Sequence, residues 1–431
     1  MTATRQHIVL LLILVSSATA ARMAYGYWVH SPGESVYSDM AVYYRQALHL
    51  RDGVLGPEDT FNPMGYPALI AAASAVSTHP LRLVALAQAL AGGLTSLLAY
   101  LLARRTSLSP AWSLLAATLV ALYPPFVFYG SVLLTESVSP FIFMLMVWLM
   151  LRAIDTPRWQ RATALGVTFS AAALVRPNVL PFALVIALCV WIGVNRQWKI
   201  AIAQLGVTVV AALPLVVLAC TINSSLTGRW SGLSTNGGLN FFMMQAEVAS
   251  VWYYDMGIKP VRNMLKYQGT YAAAEPFYEE RYYYREGMRL LRGDPLRALG
   301  RTGDGIRESL GLGMQTFWPA SPVSRARISP SAVYDMLCVG LRLSARAFLF
   351  VLVLPPLLAV GFLAARGALF DREHVVWLTV AGAFVTMLLT SLLFLADPRM
   401  HVPYDGLLIV ASLAAIRSAL GFLASRFIQR S

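Results

Sequence analysis

Residues 80–105 read PLRLVALAQALAGGLTSLLAYLLARR. From Leu83 to Ala103 the run carries no charge, about the 20 residues that a helix needs to cross a bilayer core, and it closes on Arg104 and Arg105. The stretch before it decides how the whole chain is threaded. Tyr66 to Val76 is also apolar, but it is too short to span and sits behind Pro63 and Pro67. Read as a helix that lies at the surface or dips in, it leaves Arg104/Arg105 on the side that also receives Arg5, Arg152/Arg158/Arg161, Arg196/Lys199, Arg366/Arg372 and Arg417/Arg426/Arg430. That is the positive-inside pattern. Counting 66–78 as a span would invert everything downstream.

Working outward, the candidate spans are 8–29, 80–103, 109–127, 135–153, 160–175, 178–195, 199–221, 341–365, 374–395 and 402–423. The fold class predicted is therefore an all-α polytopic membrane protein of about ten transmembrane helices, with both termini on the cytoplasmic side. Composition agrees. Of 431 residues, 57% are hydrophobic and only 13% charged, with mean hydropathy +0.60; a soluble chain averages about 25% charged. A cytosolic enzyme is excluded, and the net charge of +13 reads as loop arginines rather than nucleic-acid binding. Cys189, Cys220 and Cys338 have no metal-ligand spacing and read as small hydrophobes.

The amino terminus admits two readings. Arg5, the apolar run Ile8 to Val15 and Ala18-Thr19-Ala20 resemble a cleavable signal peptide. The apolar stretch nevertheless continues to Val29, which favours an uncleaved first helix. Two outer segments exceed mere connectors, residues 30–79 and 222–340. They divide the chain into an N-terminal transmembrane module (1–221, containing the outer loop 30–79), a periplasmic region that is small and mainly helical (222–340), and a C-terminal transmembrane module (341–431). Asn223 to Asn240 reads as loop and Glu275 to Arg292 as helix. Asn223-Ser224-Ser225 also matches a glycosylation sequon, a motif common by chance.

In the first outer loop, Ser38 to Leu48 carries apolar residues at helical spacing: Met40, Tyr43/Tyr44 and Ala47/Leu48. This predicts an amphipathic juxtamembrane helix, with Asp39 at its first turn. Such an Asp serves either as a simple cap or, on a lipid-accessible outer face, as a base. After it comes Phe61-Asn62-Pro63-Met64-Gly65-Tyr66-Pro67. An Asp-bearing surface helix, a short loop and a Pro-x-Gly-Tyr-Pro-type motif together resemble the GT-C superfamily of integral-membrane glycosyltransferases. The likeness is to the bacterial branch related to protein O-mannosyltransferases and aminoarabinose transferases. Tyr123-Pro124-Pro125 with Leu133-Leu134-Thr135-Glu136-Ser137, Leu174-Val175-Arg176-Pro177, Ser234 to Asn240, and Arg399-Met400-His401-Val402-Pro403 extend it in order along the chain. The sequence departs at Met64, where many relatives carry a second proline.

The resemblance implies a GT-C-like fold, juxtamembrane helices in the first outer loop, and a bacterial inner (plasma) membrane with the active site periplasmic. It implies transfer of a hexosyl or pentosyl group from a polyprenyl-phosphate donor to a glycan, lipid or protein acceptor. Such transfer needs a base for the acceptor hydroxyl and cationic stabilisation of the leaving phosphate. Asp39 is the candidate base. Glu136, an ionisable group in apolar surroundings, is the second candidate catalytic residue; the alternative is an interfacial Glu bonded to a neighbouring loop. Arg176 and Arg399, against the positive-inside trend, are the candidate phosphate forks, with snorkelling as the alternative; His401 is either an added donor or, as a lone interfacial histidine more often is, structural. Asn236 to Asn240 would border the acceptor entrance; Tyr66, grouped with them as an acceptor or loop residue, would with the Pro and Gly of 63–67 turn the chain beneath the catalytic cavity. The carboxylates either bind a divalent cation (Mg or Mn) or tune each other; no other cofactor is implied.

Tyr253/Tyr254 and Tyr282/Tyr283/Tyr284 suit a sugar platform or, better, an interfacial belt. Arg281, Arg285, Arg289 and Arg292 interleave with Glu279, Glu280 and Glu286 as on a charge-laced surface helix. No Walker or His-Glu-x-x-His pattern occurs, which removes support for ATP-driven transport and zincin chemistry. Two rival classes remain, a secondary transporter or flippase and a noncatalytic assembly subunit on the same scaffold. A catalytic reading requires Asp39, Glu136, Arg176 and Arg399 to converge.

Overall fold

Proline marks where many of the helices begin, because its fixed φ suits the first turn and its missing N–H is not needed there. Pro80, Pro110, Pro124, Pro140 and Pro295 all sit in first turns. The computed structural model describes residues 3–33, 36, 38–246, 268–310, 332–393 and 398–428. Among them all regular structure is helical.

Six of these helices are long and apolar enough to cross a membrane: Arg5–Val29, Pro80–Arg105, Trp198–Thr227, Ala332–Ala365, Arg372–Leu392 and Arg399–Ser425. The expected spans 109–127, 135–153, 160–175 and 178–195 form helices of 13, 17, 17 and 12 residues. The breaks have local causes. Tyr123 leaves the helical region and Pro124 starts a new short helix; Thr135–Ser137 forms a separate tight turn; Arg176 is extended ahead of Pro177. Residues 66–76 lie in a helix, Gly65–Val76, shorter than a span as expected.

Helices are labelled α1 (Ala3–Ala24), α2 (Asp39–Asp52), α3 (Gly65–Val76), α4 (Pro80–Arg105), α5 (Pro110–Leu122), α6 (Pro124–Tyr129), α7 (Ser139–Asp155), α8 (Trp159–Val175), α9 (Phe182–Gly193), α10 (Trp198–Thr227) and α11 (Asn236–Ala246). They continue with α12 (Gln268–Ala273), α13 (Glu280–Gly293), α14 (Pro295–Ser309), α15 (Ala332–Phe348), α16 (Leu354–Ala365), α17 (Val375–Leu393) and α18 (Val402–Ile428). Helix α4 is the hub, packed against α1, α3, α5, α7 and α18. Its Gly92 and Gly93 have no room for a Cβ, because Arg22 and Thr19 of α1 lie against them. Without a hydrophobic drive between helices in lipid, close approach over small residues is what holds them.

Two sequence readings change here. Asn223 to Asn240 is not one loop, since α10 runs to Thr227 and α11 starts at Asn236. Asn223 is wholly buried, its amide donating to the Gly232 carbonyl at 2.8 Å, so it is closed to glycosylation. Residues 275–292 contain helix α13 as expected.

A second, smaller core joins the two long loops. Phe61 of the first loop packs with Leu239, Phe242, Met243, Ala246 and Tyr283 of the second. The Thr235 N–H donates to the Thr60 carbonyl at 2.9 Å, and the Thr60 and Thr235 hydroxyls meet at 3.2 Å. The loop segments are thus one body around α2, α11 and α13. Arg229 and Glu279 add an ion pair at 2.8 Å, which raises the Arg229 pKa.

Candidate active site

Helix α2 turns Met40, Tyr43 and Ala47 inward, and all three are buried, as their spacing predicts. Ser38 precedes it with φ 51°, a region costly for a non-glycine residue. That turn sets Asp39 as the first helical residue, where the helix dipole favours a carboxylate. Glu136 comes from the tight turn Thr135–Ser137, ahead of α7 rather than inside it. Arg176 follows the last residue of α8, and Arg399 lies in the turn Pro398–His401 before α18.

These four side chains, from positions 39 to 399, converge. Arg399 Nη2 is 2.9 Å from Asp39 Oδ2 and its Nε is 3.7 Å from Glu136 Oε1. Arg176 Nη1 is 3.2 Å from the same Glu136 oxygen. The four also differ in burial, which deepens in the order Asp39, Arg399, Arg176, Glu136. Side-chain exposure is 27% for Asp39, 20% for Arg399, 12% for Arg176 and 2% for Glu136. Asp39 is the open end and Glu136 the sealed one.

Burial by itself would push the Glu136 carboxyl up. Arg176 and Arg399 outweigh that and hold it below the ordinary carboxylate range, helped by a 3.2 Å hydrogen bond from the Thr135 hydroxyl. Burial, then the charges of Asp39 and Glu136, push the Tyr43 phenol well above its usual value. Tyr43 therefore stays neutral beside the cluster. For the divalent cation considered at Asp39 and Glu136, the donor set fits poorly. A guanidinium already bridges the two carboxylates, and a metal ion would have to displace it.

The Pro-x-Gly-Tyr-Pro-type motif shapes this site from below. A Cβ on Gly65 would stand 2.7 Å from the Leu174 carbonyl carbon and oxygen and 2.9 Å from the Val175 nitrogen. Only glycine lets the start of α3 reach the backbone that leads into Arg176. Tyr66 is fully buried, stacks edge-on to Tyr43 at 5.4 Å and donates to Gln88 Oε1 at 2.6 Å. Gln88 in turn donates to the carbonyls of Gly130 and Val132, just before Glu136. Tyr66 thus stands as a strut beneath the site, where the 63–67 turn was expected to pass.

His401 sits as its structural alternative implies. It is buried, stacks on Phe348 at 3.7 Å and its Nδ1 is 2.7 Å from Asp405 Oδ1. Its ring is engaged inside the bundle and does not join Arg176 and Arg399 in a phosphate-facing row. Asp405 was missed by sequence reasoning, although its i,i+4 spacing from His401 was a usable signal. Arg22 was missed too. It is buried within the first span, with Nη2 donating to the Ala121 carbonyl at 2.8 Å and Nη1 to that of Ala18 at 3.3 Å.

Asn236 and Asn240 sit on the first turns of α11, with Asn236 Oδ1 accepting from the Ser234 hydroxyl at 3.1 Å. Among the described residues neither hydrogen-bonds to the four charged side chains. Tyr283 is buried in the smaller core with its hydroxyl on the Ala274 carbonyl, so that member of the Tyr triplet is structural. Tyr253 and Tyr254 lie outside the described residues.

Residues 62–220 match the dolichyl-phosphate-mannose-protein mannosyltransferase family. No curated protein sequence matches the chain. Among solved structures, the oligosaccharyltransferase of Archaeoglobus fulgidus, crystallised with a tethered acceptor peptide, shares the fold with a TM-score of 0.53 and 14% identity. That alignment covers 98% of this chain and 50% of the archaeal one, so the chain spans about half the length of that relative. The family match is confined to residues 62–220, and the solved structure shows a shared fold.

Proposed function

We propose that this chain is an inverting glycosyltransferase that moves one sugar from a polyprenyl-phosphate donor to a lipid, glycan or protein acceptor on the periplasmic face of a bacterial inner membrane. The observation that carries the reading is the convergence of Asp39, Arg399, Glu136 and Arg176 on a fold shared with a membrane oligosaccharyltransferase. A noncatalytic scaffold has no need to assemble them. A transporter would be expected to place such charges near the bilayer midplane, between related halves; here they sit at or beside the ends of α2, α7, α8 and α18.

In the proposed reaction the acceptor hydroxyl oxygen attacks the anomeric carbon while the bond from that carbon to the phosphate oxygen breaks. Asp39, the exposed carboxylate, takes the hydroxyl proton. The electron pair leaves with the lipid phosphate, whose charge Arg399 and Arg176 neutralise. Attack opposite the leaving group inverts the configuration. Arg399 changes partner during binding: as it turns to the phosphate it releases Asp39 for its role as base. Glu136, fixed and sealed, anchors both guanidiniums.

The test is release of polyprenyl phosphate from a panel of polyprenyl-phosphate sugars by the purified full chain, with envelope lipids and glycans as acceptors. Transfer that is lost in Asp39→Asn at unchanged melting temperature supports the assignment; full turnover by that variant removes Asp39 as base. Transfer unaffected by EDTA assigns the phosphate charge to the arginines alone.

A further inference from the structure

Twenty residues beyond Asp39, the loop that follows α2 gathers three ligand-type side chains away from the charged cluster. His49 lies in the last turn of α2, and Glu58 and Asp59 lie in the tight turn Pro57–Thr60. One nitrogen or carboxylate oxygen from each lies within 4.8 Å of the other two. Asp59 is the fixed member, with a fully buried side chain. Its Oδ2 accepts the Gly56 N–H at 2.9 Å and faces His49 Nδ1 at 2.8 Å. Its Oδ1 is buried with no hydrogen-bond partner. A buried carboxylate oxygen without a donor is rare unless something else satisfies it.

The other two members can close on that oxygen. The His49 side chain is 31% exposed, and Glu58 folds back over Gly56. A Cβ at Gly56 would stand 2.7 and 2.9 Å from the Glu58 carboxylate oxygens, so the bare glycine makes room for them. Ligands of one small cation, at about 2.0–2.2 Å from it, stand closer together than 4.8 Å, a gap that two partly exposed side chains bridge by small rotations.

The geometry points to a divalent transition-metal site, of Zn²⁺ type, formed by His49, Glu58 and Asp59. One imidazole with two carboxylates selects this class over Mg²⁺ or Ca²⁺, which prefer oxygen alone. In the metal-bound form His49 carries its proton on Nε2 and gives Nδ1 to the ion, Asp59 gives the orphaned Oδ1, and Oδ2 keeps the Gly56 N–H. The site is placed to staple rather than to catalyse. Gln46 of α2 already donates to the Asp59 and Asn62 carbonyls at 2.6 and 3.1 Å. Thr60 ties the same turn to Thr235, beside the start of α11. A metal here fixes the far end of the helix that begins with Asp39, and it does so whatever group the protein transfers.

The experiment uses the full chain in detergent, stripped with a chelator and titrated with ZnCl2 or MgCl2, with bound metal measured by mass spectrometry and stability by thermal melting. The expected result is one tightly held Zn²⁺ per chain and a raised melting temperature with Zn²⁺ but not with Mg²⁺. His49→Ala and Glu58→Gln should weaken Zn²⁺ binding by at least about tenfold. Neither residue holds the loop backbone, so these variants keep the test open if Asp59→Asn fails to fold. A second group, Asp371, Glu373 and His374, is largely exposed, and His374→Ala should leave the tight site unchanged. No bound Zn²⁺ in the wild type, wild-type affinity in His49→Ala and Glu58→Gln, or loss of the site in His374→Ala would each overturn the proposal.

Discussion

The two ends of helix α8 make a controlled comparison, because each is closed by arginine. At its start, Arg161 donates to the Arg152 carbonyl at 2.8 Å and so caps the end of α7. Nearby, Arg105 pairs with Asp155, both about a third exposed. A cavity of about 410 Å³ opens there between Arg105, Asp155, Arg372 and Glu373, but its charges face solvent. At the other end Arg176 and Arg399 are drawn into the protein against Glu136, with Asp39 left at the rim. The residue type is the same and the surroundings differ. Arginines that cap helix ends or meet partners in water orient the helices and contribute little more. Arginines held against a buried carboxylate form a fixed electrostatic device whose parts depend on one another.

That contrast can be broken most sharply at Asp39. Asp39→Asn should lower turnover about 10²–10⁴-fold, the usual weight of a general base, with the melting curve unchanged because the residue sits at the rim. Normal turnover would make the convergence a structural ornament. Glu136→Gln comes next. Removing a buried carboxylate that touches both guanidiniums should cost about 3–5 kcal/mol in denaturant unfolding, and a loss below about 1 kcal/mol would put the arginines in better solvation than their burial indicates.

Acid titration gives the same variant a second readout. Glu136 is held below its unfolded value, so its contribution to stability is fully present above the ordinary carboxylate range and fades as pH falls through the lower folded value. Glu136→Gln should lack that acid-side increment, and an identical pH profile in both proteins would contradict the pairing. Gly65→Ala is milder. The added methyl meets the Leu174 carbonyl and the Val175 nitrogen, which should cost about 1–3 kcal/mol and reduce turnover by shifting Arg176; wild-type kinetics would uncouple the motif from the site. Arg105→Ala closes the series, with less than about 1 kcal/mol lost and turnover intact. A large effect there would erase the distinction between the two ends.

How much was legible beforehand depended on the range of the interaction. Local signals held. The spacing of Met40, Tyr43 and Ala47 foretold the buried face of α2, an ionisable group in apolar sequence pointed to Glu136, and departure from the positive-inside trend pointed to Arg176 and Arg399. Helix length was overestimated where prolines and the Thr135–Ser137 turn divide apolar runs, because hydropathy does not register a change of backbone direction. What covers His401 and Tyr66 leaves no local signal. His401 meets Phe348, 53 positions earlier in the chain (401 − 348), and Tyr66 meets Gln88.

The sequence by itself determined that the chain is a helical membrane protein and which few charges break the pattern. Those are properties of single residues and their near neighbours, set by the cost of burying charge in hydrocarbon. Only the tertiary structure decided that Asp39, Glu136, Arg176 and Arg399 are one group, which of them is sealed, and that Gly65 is the contact that brings α3 onto the Arg176 segment. Ion pairs between residues 39 and 399 or 136 and 176 depend on how helices pack. That packing is settled by close contacts such as Gly65 on Leu174 and Gly93 on Thr19, which no local pattern encodes.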